Sequence, residues 1–406
     1  MSADQSQTPA GGPLIPLHCL QQAEPGPPRL AVLPTGTPVW LVTRHADVRQ
    51  ALTDPRLNRA SLYAPDAPAV SLIPNILDDP DSLLNVDGAE HQRVRRTVQR
   101  AFTPRAIARW RPWVESVVDG LLDELVESGS PADVIAGFSR PLPVAVISRL
   151  LGLDGLDLRR LGHWSDHALS TTAYTVEEIV TAMREFGEFG YQLVLERRKN
   201  PGDDLVSSLL AAADETGGVS EAQLTSLVCG LVVAGHETTM TTLGNALVYL
   251  LGDDPAARTA WDRVGRDEES AAQATEQVLR SIPLGDATDA LPGMLRRAVA
   301  EVEIGGVTIP AGSVVAADTG AANHDPEIYP DLGGIDLFAP LDTPSLTFGA
   351  GPHHCLGAWL ARMELESGLH HLARRLPALR LAEPVGAIEW RTGLMTRSPL
   401  TLRVAW

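Results

Sequence analysis

The 406-residue sequence predicts a mainly α-helical fold with small peripheral β-sheets, on three observations. Helical periodicity dominates from Glu90 to about Arg380, broken at Pro104, Gly129 to Pro131, Pro201-Gly202 and Gly217-Gly218. Within it, Leu224 to Leu251 is apolar on most faces, the pattern of a long helix buried at the centre of a core. Strand-forming runs are short and peripheral.

Taken in order, residues 1–28 are rich in Pro, Gly and Gln and are expected to be irregular. Residues 29–406 are expected to form a single unit. From Leu30 to Thr43, LAVLPTGTPVWLVT predicts a hairpin about a Pro-Thr-Gly turn, followed by a short helix over His45 to Leu52. Residues 60–82 are punctuated by prolines yet keep Leu72, Ile73, Ile76 and Leu77. That pattern suits a long functional loop. After the helical body, residues 299–315 return to strand character about Gly-Gly and Pro-Ala-Gly turns, and the tail from Leu394 to Trp406 reads as strand and turn.

Apolar content of 44% and charged content of 21% are those of an ordinary soluble globular protein. A net charge of −18 argues against nucleic acid or anionic lipid as a partner. Lys199 is the only lysine among 33 basic residues, a skew that suggests a GC-rich bacterial genome. Cys19, Cys229 and Cys355 lie far apart and suit a reducing cytoplasm. The N-terminus lacks the pattern of a signal peptide, and Glu237 splits the most apolar run into pieces too short to span a bilayer. A cytoplasmic protein with no membrane association is expected.

Phe348 to Arg362 reads FGAGPHHCLGAWLAR. Cys355 stands between a glycine-rich loop and the start of a helix, where free amides and the helix dipole lower a thiol's pKa. A thiolate is therefore expected. Gly349, Gly351 and Gly357 remove side chains that would keep a large flat ligand from the sulfur. A lone thiolate suits haem iron better than zinc, which needs several protein ligands.

The string resembles the haem-binding loop of the cytochrome P-450 superfamily, F-G-x-G-x-[HR]-x-C-x-G-x-x-L-A-R. Phe348, Gly349, Gly351, His353, Cys355, Gly357, Leu360, Ala361 and Arg362 all fall in register. The resemblance implies that fold, with haem b between the long central helix and the cysteine-loop helix, and Cys355 as axial ligand of the iron. Ala234-Gly-His-Glu-Thr-Thr239 resembles the family's oxygen-activation motif. It implies close approach to the backbone at Ala234 and Gly235, a hydrogen bond from Thr238 to dioxygen and proton relay by Glu237. His91 and Arg95 match the family's H-x-x-x-R pair for a haem propionate. Arg296, with Arg297 as the register alternative, and His353 would complete the propionate contacts.

The pattern breaks at the family's E-x-x-R helix. Arg280 is present, but Gln277 replaces the glutamate, Glu276 lies one residue earlier, and Ala339 stands where the third member, an arginine, is expected. Loss of two charges together leaves Arg280 needing only neutral acceptors, which the Gln277 amide can supply. Gln277 and Arg280 are thus read as structural.

The resemblance, from Arg29 to the C-terminus, implies a monomeric bacterial haem-thiolate monooxygenase supplied with electrons by a separate ferredoxin and ferredoxin reductase. Arg93, Arg96 and Arg100 form a candidate docking patch for that acidic ferredoxin. The substrate is expected to be a bulky natural-product-type molecule, hydroxylated or epoxidised. Oxidative C–C or C–N coupling, or ring closure without oxygen insertion, is the alternative, and a silent partner-recruiting relative is an alternative of another class. The family layout offers Leu72, Ile73, Ile76, Val233, Leu291, Met294, Leu295, Leu394 and Met395 as pocket candidates.

Overall fold

A computed structural model describes residues 24–74, 78–153, 157–252, 255–285, 294–330 and 336–406. Ile76, Leu77, Leu291 and most of the N-terminal segment lie outside the described residues, as does Cys19. The architecture is mainly helical with small sheets at its edge.

The central helix runs from Glu221 to Leu250, starting slightly earlier than the apolar run predicts. A capping box extends it: the Ser220 hydroxyl accepts from the Gln223 amide, and the Gln223 side chain accepts from the Ser220 amide. Its C-terminal half is almost wholly buried, and the helix as a whole packs against the helices Pro141–Leu151, Val176–Lys199 and Ala358–Arg375. Close approach is needed at Gly190, where a Cβ would stand 2.5 Å from Cys229 Sγ. No helix among the described residues is long and apolar enough to cross a membrane.

The predicted hairpin forms, with Arg29–Val32 antiparallel to Pro38–Val42, and the helix after it spans His45–Thr53. Pro38–Val42 then pairs in parallel with Val314–Ala317, whose four apolar residues are all buried. Met294–Ala298 runs antiparallel to Val314–Ala317, and Leu57–Asn58 closes the edge of this five-stranded sheet. Alternation along Met294–Ala298 sends neighbouring arginines to opposite faces. Arg296 is 1% exposed, whereas Arg297 reaches Asp66 at 2.7 and 3.0 Å.

The supporting network beneath the cysteine loop is neutral on one side. Arg280 Nε donates to Gln277 Oε1 and Nη1 donates to the Asn323 carbonyl, both at 2.8 Å. Gln277 Nε2 donates to the Ala339 carbonyl at 2.8 Å. Glu276 takes a different partner, accepting from Arg362 at 2.5 and 3.1 Å.

Candidate active site

The central helix and the cysteine loop face each other across a cavity of about 370 Å³. Ala234, Gly235 and Thr238 line it from the helix, and Phe348, His353, Cys355 and Gly357 from the loop. The loop is fixed by its own backbone. The Cys355 amide donates to the Phe348 carbonyl and the Gly349 amide to the Leu346 carbonyl, both at 2.8 Å. Asn323 holds the approach to it, accepting from the Leu346 amide at 2.7 Å and donating to Thr347 Oγ1 at 2.8 Å. Thr347 Oγ1 in turn donates to the Leu279 carbonyl at 2.7 Å. Gly351 has φ 70°, and a Cβ there would stand 2.9 Å from Thr53 Cγ2, so the bend requires glycine. Arg362 lies over the Phe348 ring at 4.5 Å and fastens the loop's first residue.

Burial works against the expected thiolate in the protein alone. Desolvation pushes the Cys355 thiol above its ordinary value, against the Gly357 and Ala358 amides and the positive charges of Arg95 and Arg362. Cys355 is open to the cavity, while the protein packed around it desolvates the sulfur. The helix N-terminus and the two arginines favour the thiolate against that burial, and a bound cationic metal would favour it further.

At one side of the cavity stands an excess of positive charge. His91 and Arg95 line the wall, and the rings of His91 and His353 lie 4.3 Å apart. His91 is 2% exposed and its Nε2 has no hydrogen-bond partner; burial, then His353 and Arg95, push it down to about 4. Arg95 Nη2 donates to the His354 carbonyl at 2.6 Å. Arg296 Nη2 is likewise buried without a partner, and burial, then Arg59, push this guanidinium down to about 10. Arg59 is a second buried guanidinium, bonded to Asn85, Tyr63 and the Leu295 carbonyl. Asp87 accepts from His353 at 2.9 Å; although burial opposes it, that contact and the Ala60 and Arg59 amides hold Asp87 down to about 2. Buried cations and orphaned donors of this kind fit a ligand that brings carboxylates, as haem does with its propionates.

Thr238 faces the cavity and donates to the Ala234 carbonyl one turn back at 2.9 Å. Glu237 turns the other way. At 2% exposure it borders a second cavity of about 460 Å³ together with Asp166, His236 and Arg391. Its Oε1 accepts from Arg391 at 2.6 Å and from Thr396 Oγ1 at 3.1 Å, and Thr396 lines the first cavity. Arg391 also bonds Asp166. Burial works against the Arg391 charge, but Glu237 and Asp166 raise its pKa; burial raises Asp166 as well. Gly235 has a packing use beyond the one expected: a Cβ there would stand 2.7 Å from Ile147 Cδ1.

Of the pocket candidates within the described residues, only Val233 lines the cavity. Leu72 points outward at 70% exposure and Ile73 is half-buried. Leu295 and Leu394 are buried in packing, Met294 packs against the sheet core, and the Met395 amide is tied to the Leu169 carbonyl. The loop contributes Leu83 and Leu84 instead, joined by Leu227 and Leu231 of the central helix and by Leu169. Sequence reading also missed Arg59, Arg391 and Glu364. No local pattern marks the two arginines, whereas Glu364, inside an apolar helical stripe, carried a usable signal. Of the arginine patch, Arg96 and Arg100 are exposed, while Arg93 is half-buried and turns to Glu90 at 3.6 Å.

The Cytochrome P450 family model matches residues 163–378. Nocardicin C N-oxygenase of Nocardia uniformis subsp. tsuyamanensis is 42% identical over 375 residues, covering 92% of this chain and 91% of that protein. Mycinamicin IV hydroxylase/epoxidase of Micromonospora griseorubida is 41% identical over 375 residues, with the same shares covered. The crystal structure of HinD with NMFT and NO superposes with a TM-score of 0.87 at 34% identity over 100% of both chains. The motifs, the fold and these relatives agree: the chain belongs to the cytochrome P450 family of haem-thiolate monooxygenases.

Proposed function

We propose that this monooxygenase hydroxylates or epoxidises a bulky, largely apolar natural-product-type substrate, using haem b held by Cys355 and electrons from a ferredoxin system. Like its family it acts on a small molecule and draws electrons from redox partners. The observation that carries the reading is the cavity itself: a single cysteine, Arg95 and the buried, unpartnered His91 border one part, and leucines wall another. In this reading the catalytic unit occupies residues 29–406 and works in the cytoplasm as a monomer. The arrangement of His91, Arg95, Arg296 and His353 suits the propionates, and the nearby Arg59 adds positive charge.

When bound, haem supplies oxygen activation with thiolate donation from cysteine. The chain's own residues manage protons and water. Thr238 holds a hydroxyl against the cavity, and its bond to the Ala234 carbonyl fixes where that hydroxyl stands. Arg391 orients Glu237 and keeps its Oε1 beside Thr396. A proton that reaches Glu237 passes onward when the Thr396 hydroxyl turns, accepting from Glu237 and donating toward the cavity. Leu83, Leu84, Leu227 and Leu231 exclude water and hold apolar substrate surface. Exposed Arg96 and Arg100 offer an acidic ferredoxin a landing site beside the cysteine loop, which the same helix reaches through Arg95. A carbon-monoxide difference spectrum of the reduced holoprotein tests the core of this proposal. A thiolate-type band, followed by oxygenated product from a screened natural product, supports it; absence of that band overturns it.

A further inference from the structure

The leucine wall of the cavity has one polar station on the central helix well away from Thr238. Ser226 lines the cavity, and its hydroxyl donates to Oδ2 of Asp79 in the preceding loop region. A serine hydroxyl carries one proton and two lone pairs. With the proton committed to the carboxylate, only acceptor capacity is left for the cavity. Ser226 and Thr238 both line the cavity, twelve residues apart, or about 18 Å along the helix.

Asp79 forms no ion pair among the described residues, and Oδ1 accepts only the Asp81 amide at 3.0 Å. The neighbouring groups leave its charge uncompensated. Cys229, one turn along the helix from Ser226, is a neutral thiol pushed up to about 12 by burial, with Asp79 adding to the rise. Glu90 accepts from Gln223 at 2.8 Å and draws Arg93 to itself. Arg59 is engaged with Asn85, Tyr63 and a carbonyl. An acceptor backed by an uncompensated carboxylate, set in an apolar wall, favours a donor that also brings positive charge. Hydrogen bonds to charged groups are stronger than those between neutral ones, and the surrounding leucines strengthen the attraction.

We propose that Ser226 and Asp79 form a subsite for an ammonium group, so that the substrate is a bulky apolar amine held by its cationic end while its far end reaches the Thr238 region. This deepens the monooxygenase reading and rests on it. The test uses the haem-loaded protein and three probes of equal chain length: N,N-dimethyldecylammonium, decanol and decanoate. Binding is read by equilibrium dialysis and by perturbation of the haem absorption band. The ammonium binds about tenfold or more tightly than decanol, and decanoate binds most weakly. Asp79→Asn brings the ammonium to within about twofold of decanol and leaves decanol affinity unchanged. Should Asp79→Asn fail to fold, Ser226→Ala carries the test, with the ammonium preference cut about threefold or more. Equal affinities in the native protein, or a preference that survives these variants, overturns the subsite. In that case decanol still perturbing the haem band leaves the monooxygenase reading intact, whereas a protein that takes up no haem defeats that reading instead.

Discussion

Arg391 Nη1 and Glu237 Oε1 meet at 2.6 Å, joining the C-terminal region to the middle of the central helix across 154 residues. Removing the arginine leaves a buried carboxylate bonded only to Thr396. Arg391→Ala is expected to cost about 3 kcal/mol or more, because an uncompensated buried charge costs more than the pair contributes. Adding Glu237→Gln to that variant restores part of the loss. Denaturant unfolding of both proteins measures this, and equal midpoints would refute the coupling.

Thr238 makes one hydrogen bond of its own, to the helix behind it, so its removal is mild for the fold. Thr238→Ala is expected to keep the thermal midpoint within a few degrees, to lower product formed per reductant several-fold and to raise peroxide release. Unchanged coupling would remove Thr238 from oxygen handling.

Gln277 bridges two partners, the Arg280 guanidinium and the Ala339 carbonyl. Gln277→Ala takes the donor from the Ala339 carbonyl and one acceptor from Arg280, which keeps its bond to the Asn323 carbonyl, and is expected to cost about 2 kcal/mol. Gln277→Glu with Ala339→Arg supplies the family's charges and is expected to raise the thermal midpoint. Calorimetry of the two variants decides, and a double variant no more stable than the native chain defeats the expectation.

Glu364 is 1% exposed, borders the cavity, and its Oε2 has no hydrogen-bond partner. Burial raises its pKa well above the ordinary 4.5. Between that value and the raised one, the folded chain keeps a proton that the unfolded chain has lost, so stability falls as pH rises through this window. Glu364→Gln removes the dependence. Its stability advantage over the native protein is expected to grow with pH from about 5 to 8 in urea unfolding. An advantage independent of pH would show that the carboxyl is already ionised.

Arg296 holds a buried charge with one unpaired nitrogen, beside a second buried guanidinium. Arg296→Met should therefore stabilise the haem-free chain, by about 1 kcal/mol or more, while weakening haem retention. Thermal unfolding of the apoprotein and haem transfer to apomyoglobin report the two effects separately. Haem retained as strongly as in the native protein would exclude Arg296 as a propionate contact.

Local patterns were legible and distant meetings were not. Periodicity located the central helix because one continuous apolar stretch determines its own burial, and only the capping box at Ser220 and Gln223 shifted its start. The cysteine loop was legible because glycine positions, turn and helix start lie within one short string. The desolvation that opposes the Cys355 thiolate was not legible for the complementary reason: the helix terminus is local, whereas burial comes from the whole fold. Leu72 looked like a pocket residue because apolar loop residues usually find cover, yet the backbone turns it outward and delivers Leu83 and Leu84 instead. Arg391 reaches Glu237, and Asp166 reaches Arg391, from segments with no sequence relation to the motif, and only the folded chain shows the meeting.

The bonds that tie Leu346, Thr347 and Cys355 to Asn323, Leu279 and Phe348 form among protein groups alone. Folding of the polypeptide therefore settles the conformational entropy of the loop before any cofactor arrives. Haem capture becomes the docking of a rigid disc into a rigid socket, with loop ordering contributing little to its temperature dependence. Arg280, anchored to Asn323 at the base of that socket, links the atypical Gln277 to how firmly the disc is gripped.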